Sequence, residues 1–208
     1  MPLGRLPRVA VAPGAWRYAA PLFALGFLLP VAPLLAVAGL AGGVAVLWFH
    51  RDPSRTPPED GFVSPADGRV SVLRTEGDRV RVGVFLNVTD VHVCRAPSDG
   101  VVEGVDHRAG AHRPAFSKDS ERNERVDIDC GSYEVSLVAG AFARRIHPYV
   151  EPGERLRRGE RVGHVSFGSR ADVLLPPGID REDVRVCKGD RVRAGETVIA
   201  PVPASKPF

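Results

Sequence analysis

From Ala19 to Phe49 the chain carries no charged residue, and after residue 60 it changes to short apolar runs broken by Gly, Pro and Asp. The first stretch has the length and polarity of a membrane-inserted helical segment. A continuous helix of that run, at about 1.5 Å per residue, would exceed the roughly 30 Å hydrocarbon core of a bilayer. Pro30 and Pro33 interrupt it, and Gly39, Gly42 and Gly43 loosen its second half. Both a single kinked span and a hairpin of two short helices therefore fit. Arg5, Arg8 and Arg17 precede the run, and Arg51 and Arg55 follow it. Basic flanks mark the cytoplasmic side, so two of them favour the hairpin, with the following domain on the cytoplasmic face of the cell membrane. The run is too long for a cleaved signal peptide, and no small-residue cleavage site precedes His50-Arg51-Asp52.

The second stretch predicts strands. β-type runs fall at 69–74, 79–86, 100–105, 125–129, 133–139, 161–166, 171–175, 184–187 and 197–201. Turn residues separate them at short intervals, the pattern of a β-sandwich or barrel. Helix-period segments are scarce there, and 50–60 reads as a linker rich in Pro and charge. The expected fold is mostly β, behind a basic leader (1–18) and a membrane-inserted segment (19–49), with one β-rich domain over 50–208. Val150–Val162 reappears 36 residues later as Val186–Val198, each copy with a Gly-acidic turn, a short strand, a Gly-Glu turn and another strand. Such hairpins build lipoyl-like carrier folds. The reading preferred here is structural: two related hairpins closing one core, with residue 169 held between them.

At 208 residues and 44% hydrophobic content the chain can bury one real core. Its formal charge of +3 suits an anionic lipid surface, and no basic run with interleaved aromatics marks a nucleic-acid binder. Cys94, Cys130 and Cys187 form no Cys-x-x-Cys pair, so they read as free thiols. No His-x-His, His-x-x-x-His or paired-Cys set suggests a metal.

Gly168-Ser169 carries the most informative chemistry. A serine after a glycine, between two β-type runs, can attack its own backbone. Its Oγ adds to the Gly168 carbonyl, the peptide becomes an ester, and β-elimination frees the upstream chain. The dehydroalanine left behind takes up water, loses ammonia and becomes a pyruvoyl group, a Schiff-base electrophile and electron sink. Glycine suits the upstream position because a strained backbone there needs freedom at φ. The same dipeptide at Gly131-Ser132 reads as a plain hairpin turn.

The company of Ser169 distinguishes it. His50-Arg51-Asp52-Pro53 follows the apolar run, then Val63-Ser64-Pro65-Ala66-Asp67-Gly68 and Asn87-Val88-Thr89-Asp90-Val91-His92-Val93-Cys94-Arg95-Ala96-Pro97. Ser120–Arg125, Ala143-Arg144-Arg145-Ile146 and Phe167–Pro176 complete the series. In order and wording this closely resembles the short form of phosphatidylserine decarboxylase, from about Phe49 to Pro176. The resemblance implies autocatalytic cleavage to chains 1–168 and 169–208 that stay together as a heterodimer. It also implies a covalent pyruvoyl cofactor from Ser169, and conversion of membrane phosphatidylserine to phosphatidylethanolamine and CO2.

It assigns Asp67 and His92 to activating Ser169, and His92 to proton delivery during decarboxylation. The longer forms of the family have a second histidine, their usual base, where this chain has Arg95. Either His92 serves both reactions, or Asp67 acts more directly on Ser169. Arg95 stays protonated and cannot be a base; it can bind substrate phosphate or carboxylate, or form a surface salt bridge. Arg122, Asn123 and Arg125 with Lys118, and Arg144-Arg145, are candidate contacts to the head group or lipid surface. Two rivals lie in other classes: a membrane-tethered lipoyl-like module, with Lys188 the one loosely eligible attachment point, and a membrane-anchored β-domain zinc peptidase.

Overall fold

A computed structural model describes residues 10–110, 122–140, 146–165 and 168–202. They form two compact units that part between Ser54 and Arg55.

The first unit is a helical hairpin. Strand β1 (Ala10–Val11) leads into α1 (Trp16–Ala24), continued by a 3-10 turn at Leu25–Leu28. Helix α2 (Pro33–Phe49) returns to β2 (Arg51–Asp52), which pairs antiparallel with β1 and clasps the two ends. Of the two expected arrangements, the helices take up the hairpin. The residue before Pro33 cannot stay helical, and Ala32 takes up φ −144° and ψ 68°, so the chain reverses there. Among the described residues no helix is long and apolar enough to cross a membrane. Gly39 and Gly43 face α1 so closely that a Cβ would meet Leu25 at 2.5 Å and the Phe23 ring at 2.7 Å. Removing both side chains lets the helices touch. The outer surface of the hairpin stays apolar, with Phe27, Val31 and Leu34 exposed near the bend and Trp16, Tyr18 and Trp48 at the open end.

The second unit is built of strands. In chain order they are β3 (Phe62–Val63), β4 (Gly68–Glu76), β5 (Arg79–Phe85), β6 (Val93–Arg95), β7 (Gly100–Val101), β8 (Gly104–Arg108) and β9 (Arg125–Asp129). There follow β10 (Glu134–Val138), β11 (Ile146–Pro148), β12 (Arg155–Leu156), β13 (Arg161–Val165), β14 (Arg170–Leu174), β15 (Arg191–Val192) and β16 (Val198–Ala200). Seven of them form one sheet in the order β15-β4-β5-β14-β10-β9-β8. Its alternation is clean: Val82, Val173, Val135 and Ile128 share one buried row, and Gly83, Asp172, Ser136 and Asp127 share the row next to it on the opposite face. The 3-stranded sheet β11-β13-β6 and the pairs β12-β7 and β16-β3 complete the domain. The expected strand at 184–187 is an irregular segment behind a 3-10 turn at Arg181–Asp183, tied to β16 by Arg185 N on Ile199 O at 2.8 Å.

The internal repeat is real but its copies are not hairpins. In each copy the two strands pair with other segments: β12 with β7 and β13 with β6, β15 with β4 and β16 with β3. Those partner segments are themselves a repeat, Ser64-Pro-Ala-Asp-Gly-Arg-Val70 and Ala96-Pro-Ser-Asp-Gly-Val-Val102. Val70 N donates to Asp190 O and Gly189 N to Val70 O; Val102 N donates to Glu154 O and Gly153 N to Val102 O. The halves interlock reciprocally, with Arg95 N on Pro65 O and Val63 N on Pro97 O, both at 2.8 Å. This pseudo-twofold frame holds both ends of the chain that runs through residue 169.

Candidate active site

Ser169 stands at the head of β14, the middle strand of the large sheet. Arg170 is in register with Phe85 of β5 on one side and Val138 of β10 on the other. Leu86 N donates to Ser169 O at 2.9 Å. The serine is fully buried, and among the described residues its Oγ has no hydrogen-bond partner. A buried hydroxyl without a partner is costly, a pattern that points to a reacting group rather than a structural one. Gly168 holds φ at 69°, the left-handed region that favours glycine. Gly140, two residues beyond β10, packs its backbone against the Gly168 carbonyl so tightly that any Cβ there would overlap the carbonyl oxygen.

His92 precedes β6 and is 2% exposed. Its carbonyl accepts from Val165 N at 3.3 Å, which sets it across from the end of β13. Its Nδ1 lies 3.0 Å from the Asp90 carbonyl. A carbonyl only accepts, so Nδ1 carries the proton and Nε2 keeps the basic lone pair. Asp90 is itself held: Oδ2 accepts from Asn87 N at 2.8 Å and Oδ1 from Arg191 at 3.2 Å. The loop from Leu86 to His92 is thus pinned to Ser169 at its start and to β13 at its end.

Asp67 sits at the same end of the sheet as Ser169, with β5 between them, since Arg69 and Arg170 both pair with Phe85. Two strand spacings separate them, roughly 10 Å. Among the described residues its carboxylate bonds to Arg55, at 2.8 and 2.9 Å, and to Ala194 N at 2.8 Å, and not to His92 or Ser169. Asp99, its counterpart across the pseudo-twofold, holds Arg158 N in the same way at 2.7 Å. Both aspartates clasp a turn of the opposite repeat. Arg95 lies three residues beyond His92 on an extended strand, so the two side chains leave opposite faces. It is buried, and its guanidinium donates to Gly159 O at 2.8 Å.

Asn123 is buried and donates to Ala139 O at 2.8 Å, bracing the residue next to Gly140. Arg122 is exposed, and Arg125 opens β9. Lys118, Arg144 and Arg145 lie outside the described residues. Three groups were given no assigned role in the sequence reading. The register of β11 and β13 stacks His147 on His164, ring centroids 4.5 Å apart, with Tyr149 Oη 2.6 Å from His164 Nδ1. The buried Arg170–Asp172 pair, 2.7 Å apart on β14, lies directly after Ser169, and Gly83 leaves room for it. Gly140 is the third. Counting histidines could flag His147 and His164, but only the ladder brings them together. Cys94, beside His92, is no rival nucleophile: burial first, and the Asp67 charge second, push its thiol up to about 12. Among the described residues no three His, Cys, Asp or Glu side chains gather as metal ligands.

A buried serine between two strands, its upstream carbonyl clamped and an oriented imidazole nearby, belongs with carboxy-lyases made as proenzymes. A family model described as phosphatidylserine decarboxylase matches residues 44–200, and the chain belongs to that family. It is 59% identical to a putative archaetidylserine decarboxylase proenzyme of Halobacterium salinarum, over 92% of this chain and 99% of that one. It is 52% identical to a phosphatidylserine decarboxylase proenzyme of Thermobifida fusca, over 77% and 74%. A putative archaetidylserine decarboxylase proenzyme of Methanopyrus kandleri is 40% identical over 91% and 97%. Membership makes the protein a lyase of phospholipid biosynthesis produced as a zymogen, and neither the carrier nor the peptidase reading is favoured.

Proposed function

We propose that the chain cuts itself between Gly168 and Ser169, and that Ser169 becomes a pyruvoyl group with which the protein decarboxylates the serine head group of a phospholipid. The products are the ethanolamine phospholipid and CO2. The observation that carries this is the buried Ser169 Oγ, unpartnered among the described residues, beside a carbonyl pressed against Gly140. A pyruvoyl ketone supplies the electron sink that loss of CO2 requires. His92, with its proton on Nδ1, offers Nε2 to take the Ser169 proton and later to return a proton to the substrate carbon. The Arg170–Asp172 pair and the ladders to β5 and β10 keep the new terminus in place. After the cut, β14, β15 and β16 of chain 169–208 remain paired to β5, β10, β4 and β3 of chain 1–168, which favours a stable heterodimer.

We place the enzyme at the cell membrane, with its β-domain on the cytoplasmic face. The hairpin supports this reading. At about 1.5 Å per residue, α2 reaches about 25 Å, short of the roughly 30 Å hydrocarbon core. It suits entry bend first, with Trp16, Tyr18 and Trp48 left at the interface where aromatic rings favour headgroup depth. Flotation of the full chain with vesicles tests it; protein that stays with the aqueous fraction would refute it.

The relatives' names divide between phosphatidyl and archaetidyl lipids, which present the same serine phosphate. The test is CO2 release from carboxyl-labelled phosphatidylserine and from its ether-linked counterpart, without added pyridoxal phosphate or metal. Both release CO2 if the head group is what the site reads, hydroxylamine abolishes the activity, and Ser169→Ala has none. Activity that needs added pyridoxal phosphate or metal, or that survives in Ser169→Ala, would overturn the proposal.

A further inference from the structure

The two copies of the internal repeat make the same turn with different side chains. Asp99 holds Arg158 N in the first copy as Asp67 holds Ala194 N in the second. Alanine at 194 means that this turn needs no long side chain. Yet the first copy carries Arg155, Arg157, Arg158 and Arg161, where the second has Arg191, Arg193, Ala194 and Thr197. With Arg55 and Arg95, those four line a cavity of about 890 Å³. Asp99 and Glu160 are the carboxylates in its wall, and each already serves a backbone amide, Arg158 N and Arg157 N. Among the described residues Arg155, Arg157 and Arg158 make no ion pair. The Nε atoms of Arg55 and Arg158 are buried with no hydrogen-bond partner among the described residues.

Like charges so gathered repel, and a buried N–H without an acceptor is costly. A phosphate group relieves the repulsion, because its oxygens match the guanidinium forks of the exposed Arg155, Arg157 and Arg161. The cavity is not the reaction centre. β13 runs from Arg161 in its wall to Val165 opposite His92, about 13 Å at roughly 3.3 Å per residue. The phosphate of a serine phospholipid lies only three bonds from the carbon that loses CO2, too short a reach to span that strand. We propose that this groove is a second phosphate-binding site, separate from the one that reads the substrate. The phosphate can come from a neighbouring lipid head group or from solution.

Calorimetric titration of the full-length protein in neutral detergent, at constant ionic strength, tests this with two probes: inorganic phosphate and dihexanoyl phosphatidylglycerol. Saturable binding of at least one is expected. Tighter binding of the lipid identifies a head-group site, and tighter binding of inorganic phosphate a soluble ligand. Arg158→Ala, which copies the residue at 194, should weaken binding roughly ten- to hundred-fold, the loss expected for one charge-assisted contact. Arg193→Gln, at the position equivalent to Arg157, should bind as wild type does. The proposal fails if neither probe saturates, if Arg158→Ala binds like wild type, or if Arg193→Gln weakens binding as much.

Discussion

Gly140→Ala should slow self-cleavage without disturbing the fold. Gly140 is not among the positive-φ glycines, so its backbone accepts alanine and the substitution acts through one methyl group. That Cβ would stand 2.5 Å from the Gly168 carbonyl carbon and 3.2 Å from Ser169 N. Ordinary contact begins near 3.4 Å, so the carbonyl carbon must retreat by about 0.9 Å and the nearer oxygen by more. A displacement near 1 Å costs a positioned reaction about 100-fold. Cleavage half-life should lengthen by about that factor. Cell-free synthesis, followed by sampling on a denaturing gel, measures it directly. Thermal unfolding beside Ser169→Ala, also uncut, checks that the fold survives. Gly140→Ala that processes at the wild-type rate would show that the clamp on the Gly168 carbonyl plays no part.

His92→Ala should slow processing and also lower decarboxylation per mole of pyruvoyl by about 10²–10⁴-fold; full processing with wild-type turnover would shift the role to another group, with His147 first in line. Asp67→Asn should destabilise more than Asp99→Asn, because it breaks a pair with Arg55, whose side chain is 7% exposed, while both keep an acceptor for the turn amide. Arg55 keeps its 3.2 Å pair with Glu196, so the loss costs about 1.5–3 kcal/mol, and equal melting temperatures for the two variants would contradict that. Cys187 alone should alkylate in the folded protein at pH 8, since Cys94 and Cys130 are buried and burial raises both thiols. The unfolded thiol releases its proton near pH 8.5 and the Cys94 thiol only near 12, so this group's stability contribution falls as pH rises between them, by up to about 1.4 kcal/mol per unit; stability that climbs over that range would refute it.

Strands with full alternation were legible in the sequence. β5, β9 and β14 lie within a residue of the predicted runs because Val80-Val82-Val84, Val126-Ile128 and Ala171-Val173 keep period two. β6 and β11 were not: three residues such as Val93-Cys94-Arg95 are too few to show a period. The long repeat was visible through its glycines and acids, but its partner repeat shares little beyond Pro-x-Asp-Gly, and only the reciprocal ladder reveals it. In the site, Ser169 and His92 could be named from motifs. Gly140 could not, because its role is a contact with a backbone atom 28 residues away. Nor could the tie of Asp67 to Arg55 and Ala194, which depends on where two distant turns meet.

The mass of the purified wild-type protein under denaturing conditions tests the central claim most directly. The account predicts two chains: one ending at Gly168, and one of 40 residues beginning at position 169 that is lighter by one ammonia than the serine-started peptide. A single chain of full mass, recovered from protein that releases CO2 from phosphatidylserine, would contradict it.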